Sequence, residues 1–159
     1  MAKLKAKRGR PPLRPPEAIY IVEVKGWEWR YWIDRARHDF EVTPVVEYRS
    51  IIIHGTVRGP KLGKVTKAEV HIDPGWKLEE LTQPKEGADV LIGSIWMTQG
   101  VFQVSQKVTD GAAAAILQML IADKIRFARV TATPLHYRTG MVRGLSLQMD
   151  LTEEEDVEP

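Results

Sequence analysis

The stretch over residues 19–33 constrains the fold more than any other, because it is long, rich in aromatic and β-branched residues, and broken only at Lys25-Gly26. Such a pattern predicts a β-hairpin that turns at Lys25-Gly26. A face covered by large apolar groups has to be buried in a core, whereas Arg30 and Trp32 on the opposite face are candidates for contact with a partner. The predicted buried face carries Tyr20, Val22, Val24, Trp27, Trp29 and Tyr31.

Further segments have the alternation or the apolar runs that are typical of strands. The run Ile51-Ile52-Ile53 places apolar groups on both faces of a strand over residues 45–57, so we expect that strand to be covered on both sides. His54, beside this run, is expected to be a hydrogen-bonded core residue. The remaining predicted strands cover residues 64–73, a hairpin over 89–108 that turns at Thr98-Gln99-Gly100, residues 125–133, and residues 141–151 with Met141, Leu145 and Leu147 on one face.

One helix is predicted, capped by Thr109 or Asp110 and ending near Asp123. Gln118 is its single polar interruption, so we expect burial on most of its circumference. With seven to eight strands, the fold class is α+β, mostly β. We predict a curved antiparallel sheet, either a sandwich or a half-barrel, with one buried helix at about 110–123.

Charge divides the chain into three parts. Residues 1–16 form a basic, proline-rich arm without an acid, and residues 153–159 form an acidic tail without a base. Both are expected to be disordered, and residues 17–152 to form a single globular domain. The charges of that domain are nearly balanced, so the domain by itself gives no electrostatic reason to expect a polyanionic partner.

The absence of cysteine excludes disulfides, thiolate metal sites and a cysteine nucleophile, and it favours a reducing cytoplasm. No apolar run reaches the length of a membrane span, so no membrane partner is expected. The basic start leads into prolines, which is unlike a secretory signal.

The arm contains the run Lys7-Arg8-Gly9-Arg10-Pro11. This run resembles the AT-hook, a short DNA-binding motif centred on Arg-Gly-Arg-Pro, and the resemblance implies that it lies in the minor groove of A·T-rich DNA. The residue types suit that role, because glycine allows close approach to the groove floor and arginines follow its negative potential. A solvated tail is the alternative interpretation of the arm, and a proline-rich ligand for a partner's groove is another.

The globular domain adds a few candidate nucleic-acid contacts. The loop over residues 58–66 lacks the spacing of a phosphate-binding P-loop and is predicted to join two strands, so Arg58, Lys61 and Lys64 are candidate contacts with a nucleic-acid backbone. Arg30 and Trp32 combine a cation with a stacking ring, as single-strand binding requires.

No pattern of catalytic or metal-binding residues stands out. His71 and Asp73 lack a third nearby ligand, so we assign no metal, cofactor or catalytic residue. The loop with His136, Tyr137 and Arg138 is either a binding site or a turn closed by Gly140. An enzyme is not favoured, although sites assembled in three dimensions escape sequence patterns.

The favoured hypothesis is a non-catalytic nucleic-acid-associated protein. Its arm contacts A·T-rich DNA, and its β-rich body forms a homo-oligomer or recruits another protein. A protein-interaction or assembly module without nucleic acid is the first alternative. A carbohydrate-binding β-sandwich is the second, because the chain has five tryptophans on a β scaffold.

Overall fold

The structure, a computed structural model, describes residues 16–35, 45–77, 79 and 92–151. The predicted architecture, mostly β with a helix near residues 110–123, is confirmed. The elements within the described residues are β1 (Ala18–Arg35), β2 (Val45–Gly59), β3 (Lys67–Asp73), β4 (Gly93–Thr98), β5 (Val101–Lys107), α1 (Asp110–Ile121), β6 (Phe127–Ala132) and β7 (Thr139–Gln148).

The seven strands form one mixed sheet in the order β1-β2-β3-β5-β4-β7-β6, and β6 pairs in turn with β1. Of the two predicted forms, a curved single sheet is therefore the one observed. All pairings are antiparallel except that of β3 with β5. Closure is irregular, because β4 meets β7 over four residue pairs and register shifts interrupt the β1–β2 and β6–β7 pairings. We call this assembly the barrel-like sheet.

β1 is one continuous strand, and the predicted hairpin at Lys25-Gly26 is wrong. Val24 pairs with Gly55 and Gly26 with His54, so Lys25 is an extra residue in a β-bulge and the chain continues in the same direction. Bulges and tight turns both favour glycine, which is why the local sequence does not distinguish them. The partner of β1 is β2, not a second half of the same stretch.

The core lies inside the barrel-like sheet, where alternate strand residues point inward. Ile51, Ile52 and Ile53 are all buried, as predicted. Ile51 and Ile53 belong to the core cluster, whereas Ile52 lies on the outer face between Glu28 and His71. The fully buried side chains also include Val22, Val70, Ile72, Ile95, Phe102, Val104, Val130 and Val142.

α1 begins as predicted, with the Thr109 side chain accepting a hydrogen bond from the backbone N–H of Ala112. The predicted burial of most of its circumference is wrong, because Ala113 and Leu120 are buried while Met119 and Ile121 are exposed. A helix that packs on one sheet meets the core along one stripe only, and its alanines cost little when exposed to water. Within the described residues, no helix has the length and apolar character of a membrane span.

A β-bulge in β7 changes which of its side chains point into the core. Thr131 pairs with Gly144 and Ala132 with Val142, which leaves Arg143 as an extra residue. Val142 consequently points into the core, and Met141, which was predicted to share a face with Leu145 and Leu147, is exposed. Leu145 and Leu147, beyond the bulge, pack against the core as expected.

β1 and β2 are longer than their neighbours and extend past them. β6 pairs with β1 only from Ala18 to Glu23, and β3 pairs with β2 only from Ile51 to Thr56. Beyond these limits, residues 30–35 and 45–50 pair with each other as a two-stranded extension. We call this extension, together with residues 27–29 of β1, the ribbon. α1 lies at the same end of the barrel-like sheet, where Asp110 contacts Arg49 at 3.1 Å.

Candidate nucleic-acid interface

Four parts of the chain meet at the end of the barrel-like sheet opposite the ribbon. The pairings of Ile21 with Gly59, Ala18 with Ala132 and Lys67 with Val101 place the start of β1, the β2–β3 loop, the β4–β5 turn and the β6–β7 loop together. The backbone N–H of Met97 donates to the carbonyl of Arg138 across 2.9 Å and ties two of these connections. We call residues 16–18, 58–67, 97–101 and 132–139 the basic end.

The basic end collects cations that have few acidic neighbours. Arg58, Lys61, Lys64, Lys67 and Arg138 are all exposed. Among the described residues, only Arg58 of these five forms an ion pair, with Glu23 at 3.6 Å. The one carboxylate of the basic end, on Glu17, lies 3.8 Å from Arg143. Four cations of this end are therefore free to contact an anion.

Glu23 lies next to the basic end and is already neutralised. Lys25 donates a hydrogen bond to its carboxylate, and Arg58 lies on the other side. The hydrogen bond from Lys25 holds the pKa of Glu23 below its usual value, with smaller contributions from the charges of Lys25 and Arg58. Glu23 is thus ionised but adds little negative potential toward solvent.

The β2–β3 loop has a defined shape. Leu62 and Val65 pair across a turn that needs a positive φ, which Gly63 supplies at 62°. Both apolar side chains pack against the core, and this leaves Lys61 and Lys64 exposed. The prediction that this loop joins two strands is confirmed.

The β6–β7 loop forms a tight turn, which is closed by a bridge between His136 and Thr139. Tyr137 and Arg138 form its tip with φ values of 48° and 66°, a conformation that Asn and Gly adopt at lower cost. Tyr137 is 89% exposed, and its ring meets that of His136 edge to face at 4.2 Å. The turn thus presents an aromatic ring and a cation to solvent.

The structure separates the predicted contact residues into two groups. Arg30 pairs with Ser50, and Arg58 lies eight residues further along β2, which corresponds to about 26 Å. Arg58, Lys61 and Lys64 are therefore brought together, whereas Arg30 and Trp32 lie on the ribbon. Lys67 and Arg138 complete the basic end. Lys67 was missed, and Arg138 was predicted only as part of a possible binding loop, because the closure of the sheet, not a sequence motif, places both beside the other cations.

The AT-hook-like residues Lys7, Arg8, Gly9, Arg10 and Pro11 lie outside the described residues, as does the acidic tail. The described chain begins at Pro16, whose carbonyl accepts a hydrogen bond from Arg143 at 3.2 Å. Pro16 belongs to the basic end, so the arm is covalently attached there.

The outer face of the sheet has a second polar cluster. His54 lies 3.6 Å from Glu28 and 3.8 Å from Glu69, and Glu69 also contacts His71 at 3.3 Å. The predicted core position of His54 is wrong, because the strand alternation turns it outward and its side chain is 42% exposed. A hydrogen bond from Gln103 is the main reason that the pKa of Glu69 is lowered.

In the described part of the chain, no group of three potential ligands has suitable geometry. His71 and Asp73, two residues apart in the sequence, contact different partners. Asp73 accepts a hydrogen bond from the Ser105 hydroxyl at 2.7 Å, and His71 contacts Glu69.

The ribbon exposes aromatic rings on both faces. Trp29 stacks on Tyr31 with centroids 5.7 Å apart, and Trp32 stacks on Tyr48 at 5.4 Å. The predicted burial of Trp29 and Tyr31 is wrong, because their strand passes the end of the core and leaves Trp29 52% exposed. A groove of about 180 Å³ separates Trp29 from α1. Trp32 is exposed, as expected.

Comparison with known proteins finds no match among protein-family models, curated proteins or solved structures.

Proposed function

We propose that the protein binds nucleic acid without catalysis, through the basic end and the arm attached to it. The observation that supports this most directly is the exposure of four cations at one end, with no ion pair to a described residue. They are Lys61 and Lys64 on the β2–β3 loop, Lys67 at the start of β3, and Arg138 on the β6–β7 loop. Like charges gathered without partners repel each other, and a polyanion relieves that repulsion by displacing condensed counterions from the nucleic acid.

The basic end and the arm would make different kinds of contact with nucleic acid. The cations of the basic end suit contacts with phosphates, which position a protein without selecting a sequence. The arm residues Arg8 and Arg10 suit the narrow minor groove of A·T-rich DNA, where the AT-hook resemblance puts them. Tyr137 adds a ring and a hydroxyl next to Arg138, and both can contact a sugar or a phosphate. The cytoplasmic location predicted from the cysteine-free sequence is compatible with this role.

The experiment compares matched double variants by fluorescence anisotropy on an A·T-rich duplex at several salt concentrations. Lys61→Ala/Lys64→Ala removes two cations from the basic end, so the slope of log affinity against log salt should fall by about 2 and binding should weaken. Lys124→Ala/Arg126→Ala removes two exposed cations from the chain before β6, away from that end, and should leave binding nearly unchanged.

The arm is tested separately with Arg8→Ala/Arg10→Ala. This variant should lose the preference for A·T-rich over G·C-rich duplex while keeping the salt-dependent binding of the body. If Lys61→Ala/Lys64→Ala binds as tightly as the unaltered protein, or if the control pair weakens binding equally, the basic end is not the interface.

A further inference from the structure

Among the strands that the structure describes, none pairs with one edge of the ribbon. β1 pairs with β2 along its whole ribbon length, but on its other side the pairing with β6 stops at Glu23. The hydrogen bond from Val24 N–H to the carbonyl of Arg126 is the last described backbone contact on that side. The side of residues 27–35 that faces away from β2 is therefore an open edge in the described structure, although the Arg35 N–H already donates to the Asp34 carboxylate at 2.7 Å.

The opposite edge of the ribbon is better covered. Pro74, Gly75 and Trp76 run alongside the start of β2 and form with it a cleft of about 480 Å³. The hydroxyl of Ser50 is directed to the carbonyl of Ile72 and the carboxylate of Asp73, both at 3.4 Å. The β1 edge is thus the one that a further strand can join.

The ribbon exposes so many large apolar side chains that leaving it uncovered in water is unfavourable. Every residue from 29 to 35 is exposed, including the large apolar side chains of Trp29, Tyr31, Trp32 and Ile33. A two-stranded ribbon without cover is marginal in water, and an open edge with such side chains is a template for strand pairing.

We propose that this edge pairs with the same edge of a second copy of the chain, antiparallel and around a two-fold axis at Trp32. In such a dimer, facing residues lie on the same side of the joined sheet, so the axis passes through a residue position and each register can be judged by its charges. An axis at Arg30 sets that arginine against itself, and an axis at Tyr31 sets Glu28 against Asp34. An axis at Ile33 forms no ion pair among the described residues. An axis at Trp29 sets Glu28 against Arg30, but these two are already paired within each strand, and it joins only residues 27–31 of the open edge.

The axis at Trp32 combines complementary charges with the longer joined edge, residues 29–35 of each copy. It places Arg30 opposite Asp34 twice, once on each side of the axis, and opposite charges on facing strand positions are favourable. It also sets Trp29 against Arg35, a pairing suited to a cation–π contact, and Tyr31 against Ile33. Arg30 is bound to Glu28 of its own strand at 2.5 Å, and the Asp34 carboxylate accepts a hydrogen bond from the backbone N–H of Arg35 at 2.7 Å. Both side chains are exposed, so each can make a further contact across the axis.

Sedimentation velocity at micromolar concentrations of the full chain tests the pairing, because it measures whether the protein is a monomer or a dimer. The unaltered protein should be a dimer. Asp34→Arg sets like charges opposite Arg30 at two places and should weaken dimerisation by about tenfold or more. The double variant Arg30→Asp/Asp34→Arg restores opposite charges and should restore the dimer.

Glu47→Arg is the matched control, because Glu47 lies on the ribbon but on β2. It makes the same change of charge as Asp34→Arg and should leave the dimer intact. A monomeric unaltered protein, an unaffected Asp34→Arg variant, a double variant that stays monomeric, or dissociation by Glu47→Arg would each overturn the proposal.

A cross-link gives a measurement that does not depend on the charge variants. The chain has no cysteine, so Trp32→Cys introduces one thiol per chain, and the two thiols would face each other across the axis at disulfide distance. Mild oxidation should convert this variant to a covalent dimer. Glu28→Cys should not cross-link, because its two copies would lie about 26 Å apart along the joined strands. Equal cross-linking of both variants, or of neither, contradicts the proposed register.

Discussion

Gly55 of β2 approaches the backbone of Glu23 of β1 so closely that a β-carbon at residue 55 would lie 2.4 Å from the Glu23 carbonyl oxygen. The same β-carbon would lie 2.6 Å from Cγ1 of Val22, a fully buried core residue. These contacts occur beside the bulge at Lys25, where β1 changes register. Glycine at this position is thus needed for the strands to remain paired around the bulge.

We therefore expect Gly55→Ala to lower the free energy of unfolding by about 2 to 4 kcal/mol, because backbone has to move to relieve the clash. Gly26→Ala is the control, since a β-carbon there meets no atom within 4 Å. Urea denaturation of both variants measures the difference. Equal stability of the two would show that the strands absorb the β-carbon without strain.

Trp29 and Ile51 face each other on paired strands but differ in burial. Ile51 is 2% exposed and Trp29 is 52% exposed. We expect Ile51→Ala to cost about 2 to 5 kcal/mol by leaving a cavity, and Trp29→Ala to cost about 1 kcal/mol despite the larger side chain. Chemical denaturation decides this, and a greater loss from Trp29→Ala would mean that the ribbon packs more tightly than its exposure indicates.

The outer-face cluster gives the stability a defined pH dependence. The pKa of Glu69 is lowered from 4.5, first by the hydrogen bond from Gln103 and then by His71 and His54, so its ionised form favours the folded state. That stability is present above the unfolded pKa and is lost as the pH falls through the folded pKa. Glu69→Gln should therefore be less stable than the unaltered protein at neutral pH, and the difference should shrink below pH 4.5.

Unfolding free energies measured over this pH range test the role of the Glu69 carboxylate. Glu47→Gln serves as the control, because Glu47 lies on the ribbon and its nearest described cation, on Arg49, is 4.0 Å away. A stability difference between Glu69→Gln and the unaltered protein that grows on acidification would show that ionised Glu69 does not favour the folded state.

Replacing Tyr137 and Arg138 in their turn should raise the stability of the protein and weaken its binding to nucleic acid. Both residues adopt left-handed conformations, so Tyr137→Asn/Arg138→Gly should raise the free energy of unfolding by about 1 kcal/mol. If the turn belongs to the nucleic-acid interface, the same variant should bind a duplex more weakly. Thermal unfolding and anisotropy on one protein sample measure both effects, and a stabilised variant with undiminished binding would remove this turn from the interface.

The parts of the fold that sequence predicts are those set by local pattern. The β4–β5 hairpin turns where Gln99 and Gly100 take positive φ, and the helix starts at its Thr109 cap. The isoleucine run likewise marks a buried strand. Each of these features depends on residues a few positions apart.

The errors arise where a distant partner decides the outcome. Lys25-Gly26 forms a bulge because a long β2 is available for pairing, and Met141 faces outward because β6 pairs with β7 across a bulge. No local sequence pattern predicts the parallel pairing of β3 with β5. The same holds for the site, since the cations of the loop over 58–66 are adjacent in sequence, whereas Arg138 reaches them only through sheet closure.

The pairing of β1 with β6 also sets an order for folding. Ala18 lies opposite Ala132, so the first strand of the described chain waits for almost the last one before the sheet can close. Contacts of such long sequence separation form slowly, because a large loop has to be closed first. During synthesis, the residues of β1 that finally face β6 are available to other chains until β6 has been made, and rapid completion of translation would protect them from misassembly.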